Sequence, residues 1–89
     1  MSVPRIYFIK PIGMVGPIKI GCSKAPQSRV EGLSLWSPFP LEVVCSASGS
    51  FQLERALHRQ FAHCRSHKEW FHADPHLVDC IALVAAGTS

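Results

Sequence analysis

Apolar residues fall along this chain in runs of two kinds, and the spacing within each run predicts its element. Residues 5–10 (Arg-Ile-Tyr-Phe-Ile-Lys) mix β-branched and aromatic side chains and predict a strand. Pro11, Gly13 and Gly16 break that run, and an extended apolar stretch resumes over 17–22. Two strands around a Gly/Pro turn predict a β-hairpin. Side chains alternate across a strand, so Ile18 and Ile20 share one face while Lys19 and Gly21 share the other. Tyr7 pairs with Ile9 in the same way. With Tyr7 across from Lys19, the polar groups gather on one side of the hairpin.

Ser23 as N-cap and Pro26 in the first turn predict a short helix over 25–33, closed near Gly32 and a loop over 34–40. Residues 41–47 (Leu-Glu-Val-Val-Cys-Ser-Ala) read as a third strand. Gly49-Ser50 separates it from 51–64, the most helix-like stretch, where Phe51, Leu53, Leu57, Phe61 and Cys64 approximate one apolar stripe. Residues 69–72 are expected to be extended. Asp74 and Pro75 open a last helix to about residue 86. The resulting order is ββαβαβα or ββαβαα, an α/β (α+β) fold with a three-stranded, mainly antiparallel sheet flanked by helices.

Composition bounds this picture. Eighty-nine residues make one expected domain, 1–89, and 47% hydrophobic content suffices to fold it. A net charge of +3 permits nucleic-acid contact without establishing it. No apolar run reaches the roughly 18 residues of a membrane helix, and the run after Arg5 is too short for a signal peptide. A cytoplasmic setting without membrane contact is expected. Cys22, Cys45, Cys64 and Cys80 form no CxxC pair and read as small buried hydrophobes. The His and Cys residues of the C-terminal third match no zinc-finger spacing. Trp36 and Trp70 read either as base-stacking platforms or as core residues, with Trp70 expected to pack.

The polar residues within these elements have ordinary readings: Tyr7 a strand aromatic, Lys19 a solvated edge lysine, Arg29 a surface arginine. Glu54 borders the apolar stripe in a first helical turn, where the helix dipole favours a carboxylate. His58 lies four residues later, so the two side chains share a helix face.

The order and spacing of these residues resemble the GIY-YIG nuclease superfamily, in particular its small stand-alone branch with a KIG second motif. Ile6-Tyr7 is similar to the first motif and Lys19-Ile20-Gly21 to the second. Arg29 follows Gly21 by eight residues, as the family's helix arginine follows its motif glycine. Glu54 and His58 resemble the branch's E-x-x-x-H pattern, and Glu69-Trp70-Phe71 its closing motif. The resemblance covers about residues 5–72.

What the resemblance implies is a metal-dependent endonuclease that hydrolyses phosphodiester bonds. Glu54 would bind one Mg²⁺ or Mn²⁺, and Arg29 would grip the scissile phosphate. Tyr7 would orient or deprotonate the attacking water, with Lys19 supplying nearby positive charge and His58 a proton relay or phosphate contact. Nucleic acid is the implied partner, DNA ahead of RNA, with a second copy or a partner protein supplying specificity. Leu33 stands where many members carry His or Tyr, and the chain contains no asparagine to match the family's late one. Those departures motivate an alternative, a catalytically inactive nucleic-acid-binding module. A protein-interaction scaffold is a third reading.

Overall fold

The computed structural model describes residues 3–87; the expected domain runs beyond them only at residues 1, 2, 88 and 89. Strands β1 (Arg5–Pro11) and β2 (Ile18–Ser23) form the expected antiparallel hairpin. Helix α1 (Pro26–Ser34) leads to β3 (Leu41–Ser48), and α2 (Phe51–Gln60) ends in a 3-10 turn over Ala62–Cys64. Two short strands, β4 (Arg65–His67) and β5 (Trp70–Phe71), precede α3 (Pro75–Gly87). The sheet therefore has five strands in the order β3-β1-β2-β5-β4, with every pairing antiparallel, rather than the three expected. Among the described residues no helix is long and apolar enough to cross a membrane.

Burial on both faces explains the continuous apolar run of β1, because alternate side chains of a strand enter opposite layers. Ile6, Phe8, Ile18 and Ile20 pack with Phe61, Phe71, Leu77 and Ile81 on one side. Tyr7 and Ile9 pack with Val30 of α1 and Leu41 on the other. The hairpin register puts Tyr7 opposite Gly21 and Ile9 opposite Lys19. Tyr7 and Lys19 are thus diagonal neighbours on one face rather than a directly opposed pair.

Local signals set most of the helix boundaries. Ser50 caps α2 by accepting from the Leu53 N–H at 3.3 Å. Ser23 does not cap α1; its Oγ accepts from the Ala25 N–H at 3.0 Å, and Ala25 is the capping residue. Asp74 Oδ1 accepts from the His76 N–H at 2.9 Å at the start of α3. The apolar stripe of α2 is real only at its C-terminal end. Phe61 and Cys64 enter the core from beyond the helix, whereas Phe51 and Leu53 stay exposed. All four cysteines are free thiols, Cys64 buried and the others half-buried against the core.

Candidate functional site

The site begins with a vacancy in hydrogen bonding along β2. Strand β5 is two residues long and pairs β2 only at Ile18 and Lys19. Beyond Lys19 the outer edge of β2 has no strand partner, and an unpaired backbone edge needs other donors and acceptors. Three groups supply them. The Ile20 N–H donates to the Glu69 carbonyl at 3.1 Å. The Ile20 carbonyl accepts from His58 Nε2 at 2.9 Å. The Cys22 N–H faces the Glu54 carboxylate closely enough to favour its charged form. Residues 20 and 22 present their backbone groups to the same edge, and residues four apart on α2 share a face, so the two spacings match.

That docking brings Glu54 to the end of the sheet where Tyr7 and Lys19 lie. Lys19 is buried, the one charged side chain so deeply placed among the described residues, and forms an ion pair with Glu69. It is not the solvated edge lysine of the ordinary reading, because β5 covers β2 at this point. A burial of that depth requires a partner for the ammonium, and Glu69 provides it. Glu69 itself is presented by a tight turn in which Lys68 adopts a left-handed φ of 54°. Arg65 Nε donates to the Lys68 carbonyl and ties the turn. In the sequence Glu69 stands only as part of the Glu69-Trp70-Phe71 motif. Its signal is there, in the Glu-Trp-Phe run, but its partner depends on the turn.

Arg29 projects from the solvent side of α1, yet its guanidinium comes within hydrogen-bonding and charge range of the Tyr7 phenol. The Tyr7 ring is 2% exposed. Burial pushes its phenol above the ordinary value of 10.0; the nearby guanidinium of Arg29 opposes this, and the carboxylates of Glu69 and Glu54 reinforce it. Glu54 is pushed above its ordinary value of 4.5, first by burial and then by the Glu69 carboxylate. His58, Lys19 and the Cys22 N–H pull the other way. Tyr7, Arg29, Lys19, Glu54 and Glu69 thus sense one another electrostatically. His58 touches the group through Glu54, and its ring lies tilted 50° against Phe71 at 5.3 Å. A carbonyl only accepts, so Nε2 carries the proton on Ile20 and Nδ1 is the free nitrogen.

Gly21 completes the arrangement. A Cβ at this position would stand 2.7 Å from Tyr7 Cε2 and closer still to Cζ and Oη. The glycine is where the phenol ring lies across β2.

The donor set also admits a hard cation. Among the described residues no three or more His, Cys, Asp and Glu side chains group to cage a metal. Magnesium does not require a cage, since it keeps several waters and takes one or two carboxylates plus phosphate oxygens. Glu54 fits that demand: it is half-exposed, and its negative charge is held beside a second carboxylate whose own cation is Lys19.

No curated protein and no solved structure matches the chain. The T5orf172 domain, a GIY-YIG-like, nuclease-associated family, matches residues 5–85, from the first residue of β1 into α3. The chain belongs to the T5orf172 domain family.

Proposed function

We propose that the chain is a GIY-YIG-type endonuclease domain that hydrolyses phosphodiester bonds in nucleic acid, DNA ahead of RNA, in the cytoplasm. The observation that supports this reading is that Arg29 reaches the Tyr7 phenol within electrostatic range of Glu54. A guanidinium, a phenol and a carboxylate from three different elements are groups that phosphodiester hydrolysis can use together, for phosphate charge, water and metal.

Arg29 grips the scissile phosphate through its planar fork and stays next to the charge that develops on the phosphate oxygens. Tyr7, protonated at neutral pH because burial raises its phenol, holds the attacking water rather than stripping it. Lys19 lends positive charge while Glu69 fixes its position. His58 locks α2 to β2 and so sets where Glu54 stands. Glu54 would hold a Mg²⁺ or Mn²⁺ ion, which supplies charge neutralisation at the phosphate when bound. Water adds to phosphorus, one ester P–O bond breaks, and a phosphomonoester and a hydroxyl result. Specificity beyond the site would come from a second copy or a partner protein.

The test is nicking of supercoiled plasmid with Mg²⁺ or Mn²⁺, compared across wild type, Arg29→Ala and Glu54→Ala. Loss of one preorganised group at such a site lowers turnover by about 10²–10³-fold, and chelation of the metal should stop it while circular dichroism stays unchanged. Nicking that survives both substitutions would sink the assignment. Salt-sensitive binding with no turnover under any divalent metal would favour the inactive binding module, which Leu33 and the absent asparagine motivate.

A further inference from the structure

Trp36 is 89% exposed, although an indole in a small domain ordinarily contributes its area to the core. It does not sit on a loose tip. Its backbone N–H donates to the Leu33 carbonyl at 3.1 Å, and the Ser37 backbone N–H donates to the Ser34 carbonyl at 3.4 Å. Ser37 Oγ accepts from the Phe39 N–H at 3.1 Å and donates to the Phe39 carbonyl at 2.7 Å. The backbone that carries the ring is therefore an ordered turn at the end of α1.

It forms one wall of a cleft of about 320 Å³ lined also by Ser28, Arg29, Gly32 and Leu33. That volume is at the lower end of the ~300–1,000 Å³ of ligand clefts. Gly32 is a poor helix former inside α1. A Cβ there would meet nothing within 4 Å, so no close approach requires the glycine. Gly32 lines the cleft in open space, so a larger side chain there would project into it.

We infer that this cleft receives one unpaired nucleobase, stacked on Trp36, while Arg29 holds the phosphate next to it; the inference rests on Arg29 being the phosphate ligand of the nuclease reading. A base within a duplex is already stacked on both faces and cannot offer one to an indole. The preferred substrate is thus single-stranded or locally splayed nucleic acid, and the selection is made by base stacking, which accepts every base because each has a π-face. Trp70 shares a second cleft with Trp36 and Leu33, but it is half-buried against the core and does not line the cleft that holds Arg29, so it is not the platform.

The experiment is fluorescence anisotropy without divalent metal, using a labelled oligothymidylate of about 12 nucleotides and a duplex of equal length. Trp36→Ala and Gly32→Leu should each weaken single-strand binding by about 5- to 150-fold, the range of one lost base stack. Duplex binding should not change, and Trp36→Phe should retain most of the single-strand affinity. Trp36→Ala binding the single strand as tightly as wild type would overturn the inference, as would equal losses on both ligands. Glu54-dependent plasmid nicking together with single-strand binding unchanged by Trp36→Ala would overturn the stacking and leave the nuclease standing. Trp36-dependent single-strand binding with no cleavage under any metal would support the cleft and overturn the nuclease.

Discussion

Gly21→Ala isolates the contact on which the site's geometry rests. The new Cβ would lie 2.7 Å from Tyr7 Cε2 and nearer to Cζ and Oη. Carbon atoms in contact prefer about 3.5–4.0 Å, so ring or strand must move by roughly 1 Å. The ring has little room to do so, being 2% exposed and packed with Ile9, Val30 and Leu41. Overpacking of this kind costs about 1–3 kcal/mol. Against it stands a gain of about 0.5–1 kcal/mol from replacing a flexible glycine in a strand. The clash is expected to win, lowering stability by about 1–2 kcal/mol in urea titrations with unchanged slope. Tyr7→Leu removes every ring atom the Cβ would strike. In that background Gly21→Ala should be neutral or mildly stabilising, a coupling well above the roughly 0.5 kcal/mol seen for independent sites. An equal cost in both backgrounds, or no cost in wild type, would refute the argument.

Glu54→Gln tests the strain on the carboxylate. Burial and Glu69 raise its folded value above the ordinary 4.5, so the folded chain holds that proton more tightly than the unfolded chain. Its stabilising contribution is complete below the ordinary value and is lost as pH rises through the raised one. The variant should therefore be more stable than wild type at pH 7, with the gap closing as pH falls toward 4.5; urea melts showing a gap independent of pH would refute this. His58→Ala leaves the Ile20 carbonyl without its 2.9 Å partner and should cost about 1–3 kcal/mol. Thermal melts should fall by about 4–8 °C per kcal/mol, and a variant as stable as wild type would show that the ring does not anchor α2.

Which parts of this fold were legible depended on whether burial or pairing made them. Strands β1 to β3 announced themselves because alternate apolar side chains enter two layers, and α3 because Asp74 and Pro75 mark its start. Strand β4 did not, since Arg65, Ser66 and His67 are polar and exposed, and backbone pairing alone makes them a strand. Missing β4 and the pairing of β5 left β2 as an apparent edge, which is why Lys19 read as solvated. Phe51 and Leu53 imitated a buried stripe whose core-packed members are Leu57 within the helix and Phe61 and Cys64 past its end.

The candidate site follows the same division. Helical spacing put Glu54 and His58 on one face, but what that face meets is decided by the length of β5. Two residues of pairing cover Ile18 and Lys19 and leave the groups of Ile20 and Cys22 for an imidazole and a carboxylate. A longer β5 would pair that edge with backbone, displace α2, and carry Glu54 away from Glu69 and Tyr7. The open edge is thus the reason a carboxylate on a helix and a phenol inside a sheet come within reach of each other. It also explains why no single stretch of the chain contains the site: its parts meet only where a strand stops short.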